Sequence, residues 1–288
     1  MRNVMLSIME YPNATLMHVV RMLTDKPFRE EVLSYVTDPV VTKFWRDEYD
    51  KWNDNQRNEA VGPITNKIGQ FLSSPIVRNI FAQPKSKINL RQIMDEGKIL
   101  LINLSKGKIG EDNASMIGSF LVSKFQIDAM SRADLDFRDR RDFYLYIDEF
   151  QNFATDSFEN ILSEARKYKL SLNVAHQFIA QLQDKIRDAV FGNVGSMVSF
   201  RVSSEDAEFL EKQFSPVFTA KDIMGIDNLN AYVKMLVGGR PQKAFNIKES
   251  FPPAGNTAIA ENLKQLSYLT YGGDRAEIEA EILAKYKK

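Results

Sequence analysis

The segment 142–151 constrains the fold of this chain more than any other stretch. It reads Asp-Phe-Tyr-Leu-Tyr-Ile-Asp-Glu-Phe-Gln, so five consecutive apolar or aromatic residues run directly into Asp148 and Glu149. A buried parallel strand tolerates two adjacent carboxylates only at its carboxyl end, where the chain leaves the core. Open α/β sheets bind their ligands at that end. The pattern therefore predicts a parallel strand with a ligand site at its carboxyl terminus.

The two acids suit the chemistry of a nucleotide hydrolase. An aspartate in the position of Asp148 can hold Mg²⁺ directly or through water, and a glutamate beside it can polarise an attacking water. That division of labour is expected of a Walker B strand. The alternative is a strand that ends in a solvated Asp-Glu pair, and the segment alone does not separate the two interpretations.

The neighbouring segments predict an α/β fold with a doubly wound, mostly parallel sheet. A buried strand is predicted at 98–104, followed by a helix at 111–132, and both precede the acidic strand. Further strands are predicted at 170–175, beside the acidic strand, and at 196–202. The strand at 170–175 stops at His176 and Gln177. Its amide could act as a sensor near a γ-phosphate or its attacking water, or it could be an ordinary strand-end amide. For His176 we favour a structural role.

The sequence divides into three predicted domains. Residues 14–90 have helical periodicity and form an all-α subdomain, in which Pro27, Pro39 and Pro63 each mark a helix start. Residues 91–255 form the α/β core, which includes a hairpin over 231–247 that turns on two glycines. Residues 256–288 form a charged helical tail interrupted near Gly272.

Composition excludes several functional classes. The chain has no cysteine, so disulfides and thiolate metal sites are ruled out. It also lacks a run of about 18 apolar residues, which a membrane-spanning helix would need. These features fit a cytoplasmic location. The 38 basic and 38 acidic residues cancel, so bulk charge does not predict nucleic-acid binding. A local basic surface could still bind it.

No segment of the chain fits a Walker A loop. That motif requires glycine, four residues and then Gly-Lys-Ser/Thr, so that backbone amides wrap the phosphates. The nearest approach is the loop 105–110, where Gly107 and Lys108 are followed by isoleucine. We interpret this loop as a strand-to-helix connection whose Lys106 and Lys108 could line a substrate channel.

A specific resemblance emerges when five segments are taken together. They are the runs at 143–150 (Phe-Tyr-Leu-Tyr-Ile-Asp-Glu-Phe), 161–168 (Ile-Leu-Ser-Glu-Ala-Arg-Lys-Tyr), 174–177 (Val-Ala-His-Gln), 191–196 (Phe-Gly-Asn-Val-Gly-Ser) and 198–207 (Val-Ser-Phe-Arg-Val-Ser-Ser-Glu-Asp-Ala). The series resembles the carboxy-terminal half of the TraG/TraD-like coupling proteins. These are type IV secretion and conjugation ATPases of the HerA and FtsK superfamily.

The resemblance implies a RecA-like P-loop NTPase core and a role for each candidate residue. Asp148 and Glu149 would be the Walker B pair that handles ATP and Mg²⁺, and Gln177 the sensor. Arg166 would be the arginine that acts in trans on a neighbouring subunit. Without the resemblance, Arg166 is explained as a cation at a helix carboxyl end.

The resemblance also implies partners. The expected partners are DNA bound through its backbone without sequence preference, further subunits in a hexameric ring, and secretion or relaxosome proteins. A ring could be formed with copies of the chain or with a Walker A-bearing partner. Attachment at the inner face of the membrane would come through upstream segments or partners.

The absence of a Walker A loop from this sequence lowers the ATPase activity expected of the chain. Family members carry it upstream of the all-α domain, and without it triphosphate binding loses its main electrostatic anchor. We therefore expect this chain alone to be inactive as an ATPase, whether it is a fragment, a split motor or a degenerate relative. Three functional classes remain: the motor half of a DNA translocase, a nucleotide-incompetent binding or recruitment subunit, and, least favoured, a metal-dependent nuclease or phosphatase.

Overall fold

The computed structural model describes residues 1–154 and 157–286, which form a mixed α/β structure that is mostly helical with small sheets. The helices are α1 (Arg2–Glu10), α2 (Met17–Thr24), α3 (Lys26–Leu33), α4 (Pro39–Lys43), α5 (Asp54–Ser73), α6 (Pro75–Phe81), α7 (Leu90–Glu96), α8 (Lys106–Ile109), α9 (Glu111–Met130), α10 (Ser157–Glu164), α11 (Asp184–Asn193), α12 (Ser204–Phe214), α13 (Ala220–Gly225), α14 (Thr257–Tyr271) and α15 (Arg275–Tyr286). The strands are β1 (Phe143–Ile147), β2 (Leu170–Val174), β3 (Met197–Ser199), β4 (Asn230–Lys234), β5 (Leu236–Val237), β6 (Arg240–Pro241) and β7 (Phe245–Lys248). Short 3₁₀ or π turns cover Phe44–Glu48, Tyr49–Lys51, Ser131–Asp134, Phe150–Asn152, Ala165–Tyr168 and Ile179–Gln181.

The chain folds into two compact units. The helical unit comprises residues 1–88 and 257–288, and the α/β unit comprises residues 89–256. The domain boundaries expected from the sequence, 14–90, 91–255 and 256–288, stay predictions beside this division.

Two helix starts in the helical unit have the capping residue followed by proline that the sequence predicts. The Asp25 carboxylate accepts a hydrogen bond from the Phe28 amide at 3.1 Å, and Asp38 caps α4 in the same way. Each cap is followed by a proline in the first turn, where the missing N–H costs nothing. The predicted starts at Pro27 and Pro39 are confirmed.

The predicted helix start at Gly62-Pro63 is wrong. Pro63 lies inside α5, which begins nine residues earlier at Asp54. A capping box between Asn53 and Gln56 satisfies the first orphan amides there and fixes the start. The helix therefore continues through the proline, although that residue removes one backbone hydrogen bond.

Large aromatic side chains fill the core of the helical unit. Trp45 and Tyr49 are fully buried, and each polar tip has a partner. The Trp45 Nε1–H donates to Ser7 Oγ at 2.8 Å, and the Tyr49 hydroxyl donates to the Leu23 carbonyl at 2.6 Å. Burial of aromatic rings with satisfied polar atoms supplies apolar area without a desolvation penalty.

The α/β unit is built around two paired strands. β1 and β2 are parallel, in a register that runs from Phe143 opposite Leu170 to Ile147 opposite Val174. The predicted strands at 143–148 and 170–175 and their adjacency are confirmed. Phe150 and Phe158 lie fully buried beneath them, in a core to which α7, α9, α10 and α11 contribute.

The remaining strands form antiparallel sheets. β3, β4 and β7 form a three-stranded sheet, and β5 pairs with β6. The hairpin predicted over 231–247 is confirmed, with Gly238 and Gly239 at positive φ in its turn. The strand predicted over 196–202 shortens to β3. The tail forms α14 and α15, as the interrupted helical pattern predicts.

The strand predicted at 98–104 is wrong. Residues 99–105 carry no regular secondary structure, and the side chains of Ile99 and Leu101 are 90% and 86% exposed. An apolar run becomes a strand only when a neighbour pairs with it, and no described residue does so here. Because β1 and β2 form a two-stranded sheet, the doubly wound, mostly parallel sheet stays a prediction.

A buried arginine forms hydrogen bonds to both of the segments that lead into β1 and β2. The Arg132 side chain is fully buried, and its guanidinium donates to the carbonyls of Tyr168 at 2.9 Å and Arg141 at 2.6 Å. Its Nε lies 2.9 Å from an Asp95 carboxylate oxygen. Tyr168 and Arg141 closely precede the two strands, so Arg132 fixes their amino ends together.

We expect Arg132→Met to lower the free energy of unfolding by about 3 kcal/mol, because it leaves the carbonyls of Tyr168 and Arg141 without their donor and removes one of the two arginine partners of Asp95. Urea denaturation followed by circular dichroism measures the change. Arg138 is exposed, so Arg138→Met is the matched control and should alter stability little. Equal denaturation midpoints for the two variants would contradict the role assigned to Arg132.

Candidate functional site

The candidate site lies at the carboxyl ends of β1 and β2. Parallel pairing extends past the strands, since the Ala175 amide donates to the Ile147 carbonyl and the Phe150 amide donates to the Ala175 carbonyl, both at 3.0 Å. The residues that follow each strand therefore emerge at the same edge. Glu149 and Gln177 meet there.

Glu149 is held by two side-chain amides. Gln177 Nε2 donates to Glu149 Oε1 at 2.5 Å, and Gln151 Nε2 donates to Glu149 Oε2 at 2.6 Å. The backbone of Glu149 is left-handed, with φ of 50° and ψ of 44°, which turns the chain sharply out of β1. Such a conformation is uncommon for a residue other than glycine, and its strain persists only where surrounding contacts hold it.

Asp148 lies exposed beside Glu149. One of its carboxylate oxygens accepts a hydrogen bond from the Glu149 amide at 3.0 Å. Carboxylate oxygens suit Mg²⁺, which typically takes one or two of them together with waters and substrate phosphates. Asp148 thus fits the expected metal ligand. Within residues 1–154 and 157–286, no group of three or more His, Asp or Glu side chains is arranged around a common metal position.

Lys106 begins the short helix α8, where the sequence predicted a loop, and it links the segment before α9 to the site. Its Nζ donates to Asn152 Oδ1 at 3.1 Å and to Glu111 at 2.6 Å, while Asn152 Nδ2 donates to the Glu149 carbonyl at 3.0 Å. The sequence pointed to Lys106 only as a channel residue and did not indicate Asn152 or Gln151. The only sequence signal for Gln151 and Asn152 is that they lie two and three residues after Glu149.

His176 has the structural environment expected of it. Its ring packs edge-on against the buried Phe150, with the centroids 5.3 Å apart. Burial lowers the pKa of His176, and nearby Asp206 and Glu149 oppose this effect. The ring is therefore neutral at pH 7.

The structure places Arg166 away from the site of its own chain. It is exposed in the turn before β2, whereas Gln177 follows that strand. A five-residue strand separates the two ends by roughly 16 Å. Arg166 therefore does not take part in the Glu149 site of its own chain. The catalytic roles of Asp148, Glu149, Gln177 and Arg166 all stay predictions.

Hydrogen bonds dominate the electrostatics of Glu149. The amides of Gln151 and then Gln177 hold the pKa of its carboxyl below the ordinary value, and the charge of Lys106 acts in the same direction. The Gln151 amide oxygen is itself buried without a hydrogen-bond partner among the described residues. At neutral pH, Glu149 is therefore an anion held by two amide hydrogen bonds.

The family comparison matches the segment that contains this site. A family profile described as the TraM recognition site of TraD and TraG matches residues 142–224. This segment belongs to the TraG/TraD coupling-protein family. No curated protein matches the sequence.

Solved structures of a coupling protein share the fold. The conjugative coupling protein TrwBΔN70 in its unbound monoclinic form gives a TM-score of 0.56 at 16% identity, over 86% of this chain and 63% of that one. TrwB in complex with ADP and Mg²⁺ gives 0.59 at 16% identity, over 88% and 64%. TrwB with the ATP analogue ADPNP gives 0.58 at 15% identity, over 86% and 62%. The chain thus spans somewhat under two thirds of the TrwB structures it matches.

None of the helices in the described ranges has the length and hydropathy needed to cross a bilayer. The predicted location at the inner face of the membrane is untouched by that finding.

We expect Gln151→Leu to raise the pKa of Glu149 towards its ordinary value, and Gln177→Leu to raise it by less, since each removes a hydrogen bond to the charged form. Because the pKa of Glu149 is lower in the folded than in the unfolded protein, these hydrogen bonds stabilise the fold fully at pH values above the ordinary carboxyl pKa. That stability is lost as pH falls through the folded pKa. Carbon-detected NMR titration of ¹³C-labelled glutamate measures the pKa.

The control for this titration is Gln181→Leu, which removes an exposed amide that follows the site. The Glu149 titration should be unchanged in that variant. An unshifted Glu149 pKa in both Gln151→Leu and Gln177→Leu would contradict the hydrogen-bonded arrangement.

Proposed function

We propose that this chain is the motor half of a conjugation or type IV secretion coupling-protein ATPase, which moves DNA or a DNA–protein substrate with ATP. One observation carries the proposal: the Glu149 carboxylate and the Gln177 amide are in contact at the shared carboxyl edge of two parallel strands. The likeness to TrwB, solved with nucleotide analogues and with ADP and Mg²⁺, supports the choice of cofactors.

Each side chain has a distinct task in this proposal. Asp148 presents an exposed carboxylate to Mg²⁺, and Glu149 accepts the proton of the attacking water. Gln177, at hydrogen-bond distance from Glu149, positions that water or senses the γ-phosphate. When bound, Mg²⁺ neutralises charge on the phosphate oxygens.

The contact between Gln151 and Glu149 also fits a resting state. A carboxylate that accepts two amide hydrogen bonds is a weaker base than a free one, because both bonds stabilise its charged form. Engagement of Gln177 by a nucleotide would remove one of these bonds and increase the basicity of Glu149. The proposed hydrolysis is thereby coupled to occupancy of the site.

The Walker A loop would be supplied from outside residues 1–288, because no segment among them has the required spacing. We propose that the complete site forms in a hexameric ring with a Walker A-bearing segment or partner. Arg166, exposed before β2, would reach the site of the next subunit. DNA would be bound through its backbone, because a translocating motor must accept every sequence.

We expect the purified chain alone to show no steady ATP turnover with Mg²⁺ and DNA, because the phosphates lack their main anchor. A coupled assay for released phosphate measures this, and a known DNA-dependent ATPase in the same buffer serves as the positive control. Steady turnover by the chain without any partner would overturn the expectation.

We expect Glu149→Gln to lower ATP hydrolysis about 100-fold or more in the native assembly, since a general base typically contributes a factor of that order. The tagged chain is expressed in its own cells, the assembly is purified, and phosphate release is measured with DNA. Glu205→Gln, which removes an exposed carboxylate on α12, is the control and should retain wild-type turnover. Equal turnover of both variants would contradict the proposal.

A second function is favoured by the family description. The matched segment of TraD and TraG is a TraM recognition site, so residues 142–224 of this chain could dock an accessory protein without hydrolysing nucleotide. In that case the native assembly would retain its accessory protein in the Glu149→Gln variant and show no ATP turnover even with the wild-type chain. The metal-dependent nuclease stays the least favoured alternative.

A further inference from the structure

A polar cavity of about 430 Å³ opens in the helical unit, between α3 and the start of α5. Three cations line it, namely Lys26, Arg29 and Arg57, and two carboxylates, Asp50 and Asp54. Its volume falls within the range of small-molecule sites. No residue of the candidate site at Glu149 belongs to it.

Arg29 forms the buried wall of this cavity. Its side chain is 4% exposed, and its guanidinium donates to Asp50 at 3.1 Å and to the Met22 carbonyl at 3.2 Å. Its Nε has no hydrogen-bond partner among the described residues. Asp50 therefore neutralises Arg29, although the guanidinium retains an unused donor.

Arg57 has no such counterion in the described part of the chain. Its strongest contact is a long hydrogen bond of 3.4 Å from NH2 to the Trp52 carbonyl, and its Nε is also buried without a partner in the described structure. The guanidinium carbon lies 5.6 Å from the centroid of the Tyr49 ring, and that of Arg29 lies 5.0 Å from the same ring. Two guanidinium groups thus converge on one buried aromatic ring, and Asp50 pairs with only one of them.

The cavity therefore has excess positive charge. Of the cations in its wall, Arg57 and the exposed Lys26 form no ion pair within residues 1–154 and 157–286. Asp54 lies exposed in the first turn of α5, where the helix dipole already favours its charge. Guanidinium donors that are partly buried and unmatched cost free energy unless an acceptor reaches them.

Phosphate is the acceptor that matches this arrangement. Arginine presents several donors in a planar fork that suits phosphate oxygens, and lysine adds a flexible charge beside it. The cavity is larger than a bare phosphate, and Thr24 and Asn58 in its wall offer neutral hydrogen-bonding groups to the remainder of a ligand.

We propose that the cavity binds the phosphate group of a nucleotide-sized ligand, held by Arg57 and Lys26. The phosphate could belong to a free sugar phosphate or to the backbone of a nucleic-acid strand, and the chemistry of recognition is the same. This site is separate from the proposed hydrolysis site and does not depend on it.

Intrinsic fluorescence gives a local readout of binding. The two tryptophans of the chain, Trp45 and Trp52, both lie in the helical unit, and Trp52 accepts the hydrogen bond from Arg57. The full chain is titrated at constant ionic strength with inorganic phosphate, with ribose 5-phosphate and with a ten-residue oligothymidylate. Shifts in melting temperature provide a second measure.

We expect saturable binding of at least one phosphate probe, weakened about ten- to a hundredfold in Arg57→Gln, because a charge-assisted hydrogen bond is lost. Lys26→Gln, on an exposed residue whose replacement leaves the fold intact, should weaken binding by a smaller factor. Asp54→Asn should tighten it, since a repelling carboxylate is removed. Arg46→Gln removes the same charge at an exposed position of the same unit and should bind like wild type.

The three probes identify the source of the phosphate. Binding of ribose 5-phosphate assigns the site to a small ligand, and binding of the oligonucleotide alone assigns it to a nucleic-acid strand. Two results would overturn the proposal: no saturable response to any probe, or equal affinity of Arg57→Gln and Arg46→Gln while both retain wild-type circular dichroism.

Discussion

The in-register parallel pairing of β1 with β2 is the constraint on which the α/β unit depends. Parallel strands share one carboxyl edge, so whatever follows Ile147 and Val174 must emerge side by side. The pairing is fixed at the opposite end by the buried Arg132, which binds the carbonyls that precede both strands. A slip of one residue would turn every inward side chain of β1 to the other face and separate Glu149 from Gln177.

The left-handed backbone at Glu149 converts that edge into a site. An L-residue in this conformation costs on the order of 1 kcal/mol, and the cost is offset by contacts that only this turn permits. The Glu149 carbonyl accepts from Asn152, and its carboxylate accepts from Gln151 and Gln177. The turn thus brings the charged group together with the donors that hold it, two of which are its near neighbours in sequence.

The sequence predicted those features of the fold that depend only on residues close together in the chain. The unbroken apolar run before Asp148 indicated the strand and its polar end, and aspartates before Pro27 and Pro39 indicated helix starts, because capping involves only neighbouring residues. The helix start predicted at Pro63 was wrong because the capping box at Asn53 and Gln56 sets the start of α5 upstream of that proline. The contacts of Lys106 and Gln177 with their partners were less accessible to sequence, since each joins residues distant along the chain.

The apolar segment around Ile99 and Leu101 affects how the protein behaves in concentrated solution. Ile99 and Leu101 are almost fully exposed, and Tyr144 and Tyr146 of β1, in the same unit, are exposed as well, so each of the two segments presents apolar area to solvent. Such surfaces pair with one another as protein concentration rises. Colloidal stability of the isolated polypeptide should therefore decline with concentration and with added kosmotropic salt, which strengthens apolar association.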